Sequence, residues 1–218
     1  MNTSTNTVTS RNKLIVILSP FLIIFINYIV ARISGEIIGK WAFIPIILIE
    51  WCLFLFFALK FGGPDSINKW LKKPLGNFGW LALALFTGLI PLPIFLKNFE
   101  LLMPFQIWIP WILLALINPW IEEFYWRGLL LDYTETWNKG SAILFTSFVF
   151  AANHAVFGVN SILLSGPEVF ISTFIMGLIW ALIFKKTGSL RWVMAAHFLV
   201  DFFNLSVPSF LDLYKPGW

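Results

Sequence analysis

The sequence predicts an all-α fold, a polytopic transmembrane helical bundle with about seven spans, on three observations. Hydrophobic residues make up 59% of the 218 and charged residues 12%, the reverse of the balance that keeps a soluble domain apart from its neighbours. The apolar residues fall in runs close to the roughly 20 that one bilayer crossing requires. The loops between the runs are short and hold most of the Lys and Arg, as loops sorted to one side of a membrane do.

Residues 1–13 read as a disordered cytoplasmic N-terminus, rich in Thr and Asn and closing on Arg11 and Lys13. The apolar run Leu14 to Ile33 is too long for a signal-peptide core and has no convincing small-residue cleavage site, so it reads as a retained first span. Further spans are expected over Trp41 to Phe61, Phe78 to Leu96, Phe105 to Leu131, Ser141 to Phe157, Val169 to Phe184 and Leu190 to Leu205, with a re-entrant piece around Ser161 to Leu164 as an alternative. The chain thus divides into three N-terminal spans (14–104), a core of four spans (105–206) and a C-terminal tail (207–218). No soluble domain fits beside them. Pro91 and Pro93 in the third span, and Asn118-Pro119 in the fourth, remove backbone donors and favour kinks of the kind that border cavities.

Charge tests the span count separately. With the N-terminus inside, the cytoplasmic side holds Arg11, Lys13, Lys60, Lys69, Lys72, Lys73, Arg127, Lys139, Lys185, Lys186 and Arg191. The other side holds Arg32, Lys40, Lys97 and Lys215. That division of the 15 basic residues is eleven against four, and ten against four if Arg127 is intrahelical. The basic residues form no single patch, so the +4 charge gives no reason to expect a nucleic-acid partner. Membrane lipid is the expected surroundings, and the plasma membrane the expected location. The single Cys52 cannot form an intrachain disulfide.

Against this apolar background the polar residues inside the spans stand out, because each ionisable group at mid-membrane costs ~2.5 to 3.5 kcal/mol on insertion scales. The fourth span carries Glu122, Glu123 and Arg127. Glu123 and Arg127, four apart, share a helix face and can pair. Glu122 points about 100° away and lacks that partner, which suits a general base or acid. The only two histidines both lie in apolar segments. His154 follows Phe150 by one turn, with Asn153 beside it. His197, Asp201 and Asn204 fall at i, i+4 and i+7 on one stripe. Three helices each offering a polar face can bury those faces only against one another or against water. Glu50 is a further buried acid without an evident partner, while Asn27, Tyr28 and the tryptophans read as packing or interfacial anchors.

The motifs Glu122-Glu123-x-x-x-Arg127, Phe150-x-x-x-His154 and His197-x-x-x-Asp201, in that order, resemble the CAAX protease and bacteriocin-processing family of intramembrane proteases, which includes the Rce1-type prenyl-protein endopeptidases and bacterial Abi proteins. Arg127-Gly128-Leu-Leu and Lys186-Thr-Gly-Ser-Leu are also similar, so the likeness runs from about Trp111 to Asn204. The resemblance implies hydrolysis of a peptide bond in a membrane-associated or lipidated peptide or protein. Carried over residue by residue, Glu122 would activate water and His154 would hold or polarise it. Glu123 and Arg127 would fix the helix, and His197 would help to stabilise the oxyanion. The prenyl proteases have Asn where this chain has Asp201, and an ionised Asp accepts hydrogen bonds without donating them. Asp201 would then orient His197, stay protonated or bind metal, and Asn204 is a replacement donor.

Members of that family are widely labelled metalloproteases, and Glu122, His154 and His197 are acceptable zinc ligands. The chain lacks the His-Glu-x-x-His spacing, however, and a glutamate-dependent mechanism without a metal is the preferred expectation. Two other classes compete: a catalytically silent scaffold or bacteriocin-immunity factor, and a proton- or ion-coupled carrier. The carrier is opposed by the lack of an inverted repeat. At 1.5 Å per residue, Glu122 and His197 should lie roughly 10 to 15 Å from the cytoplasmic helix ends and His154 nearer 20 Å, a mismatch that a shared site must overcome.

Overall fold

The structure is a computed structural model that describes residues 10–215, and among these it contains helices and no strand. The expectation for residues 1–9 lies outside the described residues, as do residues 216–218 of the expected tail. Helix α1 (Ser10–Ile38) begins within the segment expected to be disordered and turns through a tight 3-10 segment, Gly39–Ala42, into α2 (Phe43–Gly62). Along α1 the exposed Leu14, Leu18, Phe21 and Phe25 make one stripe, and the buried Val16, Ile23, Asn27 and Ala31 make another. A helix apolar on both faces is one that meets protein on one side and lipid on the other.

A short helix not expected from the sequence, α3 (Ser66–Trp70), buries Trp70 beneath the bundle. The third span is broken, as its prolines predict, into α4 (Phe78–Leu89) and α5 (Leu92–Asn98) with Pro91 at the joint. Pro119 does not break α6 (Phe105–Glu123). The irregularity falls just beyond it, where Phe124–Leu130 winds as a wide π-helix before the short α7 (Leu131–Tyr133). Wide turns of this kind tend to occur at functional positions, because they re-aim side chains within a helix.

Helix α8 (Lys139–His154) starts on an Asn138 cap that accepts from Gly140 N and ends at His154, where the chain tightens into a 3-10 turn. Helix α9 (Pro167–Thr187) has Pro at its first position and closes on Gly188 in the left-handed conformation, the preferred start and stop signals. Helix α10 (Arg191–Phe203) and the short α11 (Ser206–Phe210) complete the chain, joined by Leu205 at φ 52°. The expected tail is therefore partly helical, with Ser206, Val207 and Pro208 buried.

Five helical stretches are long and apolar enough to cross a membrane, and the first of them, Ser10–Gly62, comprises α1 and α2 packed on each other. Helix α10 has 13 residues, ~20 Å, shorter than the ~30 Å of a hydrocarbon core. The chain is a multi-pass membrane protein. Close approach depends on small residues: a Cβ on Gly88 of α4 would come 2.9 Å from Ala196 O of α10, and one on Gly177 of α9 would come 3.0 Å from Ser147 Cβ of α8.

The two ends of the bundle differ. At the lysine-rich end, the strand-free stretch after α3 is stitched to the α9–α10 turn by Leu75 N to Thr187 O (2.8 Å), Leu190 N to Trp70 O (2.8 Å) and Arg191 Nε to Leu71 O (2.6 Å). At the opposite end, Asp212 gathers the loop after α8, accepting from Ser161 Oγ at 2.7 Å, Ile162 N at 3.0 Å and Leu163 N at 2.9 Å, and it pairs with Lys40 at 2.8 Å. The piece considered as re-entrant is this clasped loop, with no α-helix in it.

Candidate active site

The three polar helix faces meet. Glu123 Oε1 lies 2.7 Å from Arg127 Nη1 and 2.8 Å from His197 Nδ1, so the carboxylate at the end of α6 ties the π-helix to α10. Both Glu123 and Arg127 are buried. The Arg127 guanidinium lies over the Phe150 ring at 4.0 Å and beside Trp180 at 5.3 Å, where the aromatic faces compensate part of its desolvation. Pairing at i, i+4 holds as the sequence predicts.

Glu122 faces elsewhere. Its Oε2 is buried without a hydrogen-bond partner among the described residues and lies 4.0 Å from His154 Nε2. His154 Nδ1 lies 2.9 Å from Phe150 O, and since a carbonyl can only accept, Nδ1 carries the hydrogen and Nε2 is the nitrogen turned toward Glu122. The expected depth mismatch is absorbed by side-chain direction. Helical side chains lean toward their own N-terminus, so Glu122 on α6 and His154 on the following, oppositely directed α8 lean toward each other.

Asp201 lies 3.6 Å from His197 Nε2 and accepts from Asn118 Nδ2 at 3.0 Å. Trp51 Nε1, which can only donate, gives its hydrogen to Asn118 Oδ1 at 2.7 Å, which leaves the amide nitrogen to face Asp201. Asp201 thus faces His197 across a gap longer than a hydrogen bond, while its own hydrogen bond comes from Asn118. Asn204 stays on the stripe and lines the cavity, but its Oδ1 has no hydrogen-bond partner among the described residues. Asn153 does not line the cavity: it donates to Glu50 and accepts from Asn27 at 3.3 Å, which supplies Glu50 with the partner that the sequence did not reveal.

These groups line the inner end of a cavity of about 820 Å³. Glu122, His154, His197, Asp201 and Asn118 reach it, while Glu123 and Arg127 stand behind its wall. The helix spacing set Glu122 apart from the Glu123–Arg127 pair, and the structure has the same division, a cavity-facing carboxylate and a buried pair. Reasoning from sequence also missed Trp51, Thr87 and Trp180. Trp180 Nε1 donates to Thr87 Oγ1 at 3.0 Å, and its ring lies 4.8 Å from that of His197. Asn118 was noticed only for the proline after it.

The fit to a metal is poor. Among the described residues no three His, Cys, Asp or Glu side chains gather as a metal ion would require. Of the ligand set Glu122, His154 and His197, the first two lie 4.0 Å apart, and Nδ1 of His197 is taken by Glu123. No step below runs through a metal.

No curated protein and no solved structure matches the chain. The family comparison does: residues 104–203, which hold all three motifs and every acid and histidine described around the cavity, match the family described as Type II CAAX prenyl endopeptidase Rce1-like, and over this segment the chain is similar to that family.

Proposed function

We propose that the protein is an intramembrane endopeptidase that hydrolyses a peptide bond with Glu122 as general base, in a plasma membrane that it crosses about seven times with its N-terminus in the cytoplasm. The observation that carries the reading is the pairing of an unpartnered carboxylate oxygen on Glu122 with the Nε2 of His154 across 4.0 Å, at the wall of a cavity large enough for a peptide segment. That gap is too long for a direct hydrogen bond and suits one water bridging the two groups.

The chemistry follows from these positions. Glu122 takes a proton from the bridging water while His154 Nε2 accepts its second hydrogen, which orients the oxygen lone pair on the scissile carbonyl. Attack places negative charge on the carbonyl oxygen. His197, held at Nδ1 by Glu123, presents Nε2 at the cavity wall, and once protonated there it donates to that oxygen. Glu122 then returns its proton to the leaving amine. Glu123, Arg127 and Asp201 position these groups without touching the reacting atoms.

The test is cleavage of a peptide library by nanodisc-embedded protein. Glu122→Gln should lower turnover by about 100- to 10,000-fold, the usual span for a lost general base, and wild-type turnover should survive a zinc chelator. Turnover unchanged in Glu122→Gln would refute the assignment, and loss with chelator would move Glu122 from base to ligand. A wild type that cleaves nothing would favour a silent scaffold.

A further inference from the structure

The cavity has a direction. Its inner end is marked by Thr87, Glu122, Trp180 and His197. From there its lining runs only one way, through Pro91 and Ile94 on one flank and Met176, Thr173 and Ser172 on the other. It ends at Lys97, Glu168 and Lys215, which are exposed, together with Asn98 and Tyr214. All five belong to the end of the bundle opposite the lysine-rich loops.

The other direction is shut. Between Glu122 and the end of α7 stands ~15 Å of helix, and Tyr125, Trp126, Leu129 and Leu130 within it have no exposed surface. Trp70 packs under Gly128 so closely that a Cβ there would meet the indole at 2.8 Å. Hydrogen bonds tie the backbone of Trp70, Leu71, Lys72 and Leu75 to the turn 187–191, two of them donated by the Ser189 and Arg191 side chains.

Basic loops mark the cytoplasmic side of a multi-pass protein. Taken with the one-way cavity, the geometry points to a substrate that reaches Glu122 from the extracytoplasmic face: an exported or membrane-anchored polypeptide whose scissile bond lies toward the outer leaflet. This rests on the protease reading above for the chemistry but not for the side. The apolar flanks accommodate the part of the substrate that leaves the bilayer, and the charged rim meets its hydrated part. A chain end anchored on the cytoplasmic face has no path to the carboxylate.

Accessibility decides this without any catalysis. In a Cys52→Ser background, which removes the single and exposed thiol, Lys97→Cys and Ser172→Cys sample the rim and the flank, and Lys73→Cys the lysine-rich end. With a membrane-impermeant maleimide on intact cells, positions 97 and 172 should label as fully as after permeabilisation, and position 73 should label only after it. Labelling of 73 in intact cells, with 97 and 172 requiring permeabilisation, would overturn the inference and leave the protease reading standing. A second readout tethers one cleavable peptide to either end of a transmembrane anchor: cleavage only on the extracytoplasmic side supports the inference, and cleavage only on the cytoplasmic side refutes it. If neither is cut, the protease reading fails while the labelling still decides the side.

Discussion

Phe150 shows why a motif that reads as Phe-x-x-x-His needs both residues. Its carbonyl fixes the His154 ring, 4.4 Å from its own ring, and its other neighbour is the Arg127 guanidinium at 4.0 Å. One residue, through its carbonyl and its ring, therefore ties His154 to the buried pair. Lysine in place of Arg127 keeps a charge but loses the planar guanidinium that donates from Nη1 to Glu123 Oε1 while lying over the Phe150 ring. Arg127→Lys should lower kcat about 10- to 100-fold with KM little changed, an expected loss of ~1.4 to 2.7 kcal/mol in transition-state stabilisation. Steady-state rates against a wild-type control of equal thermal stability measure it. The motif residues were legible because ionisable groups are costly in lipid. Asn118, Thr87 and Trp180 were not, since an amide, a hydroxyl or an indole in an apolar helix is ordinary until the rotation of that helix about its axis is known.

The same limit governs the elements. Hydropathy located the long helices to within a few residues and the Pro91 joint by its chemistry, yet it missed the π-helix at Phe124–Leu130, whose composition differs little from that of α6. It also missed the loop clasp, because Asp212 is 50 residues from Ile162 in sequence. Burial alone would raise the Asp212 pKa, but the Lys40 ammonium, the two amides and the Ser161 hydroxyl outweigh it and bring the carboxyl from 3.8 down to about 2. A carboxyl whose pKa falls on folding stabilises the fold above its unfolded pKa, and that contribution disappears as pH drops through the folded one. The clasp should therefore hold unchanged from neutral pH to about 4 and loosen between there and about 2. Asp212→Asn should loosen it at every pH. Hydrogen exchange at Ile162 and Leu163 reads both effects, and exchange as slow in Asp212→Asn as in wild type would show that the clasp does not hold the loop.

The whole bundle, rather than the segment with the motifs, builds the site. Residues 104–203 carry the family likeness, but their polar groups are completed from the first half of the chain: Asn153 by Glu50 and Asn27, Asn118 by Trp51, Trp180 by Thr87, and Tyr125 by Ser19 at 2.7 Å. Phe54 stacks on Tyr125 with ring centres 4.4 Å apart. A division at 104/105 thus separates where the motifs lie from where their partners lie. Each buried polar group stripped of its partner costs ~1 to 3 kcal/mol, and several such losses approach the 5 to 15 kcal/mol that a whole domain has to lose. The fragment 104–218 expressed alone should therefore enter the membrane yet fail to assemble the cavity, and show no cooperative thermal transition. Co-expression with 1–103 should restore both a cooperative thermal transition and binding of the two fragments in detergent, because in lipid the interface is held by packing and polar contacts that survive a cut in the 103–104 loop. A lone 104–218 fragment that melts cooperatively at the full chain's Tm would show that the first spans are a peripheral addition to the site.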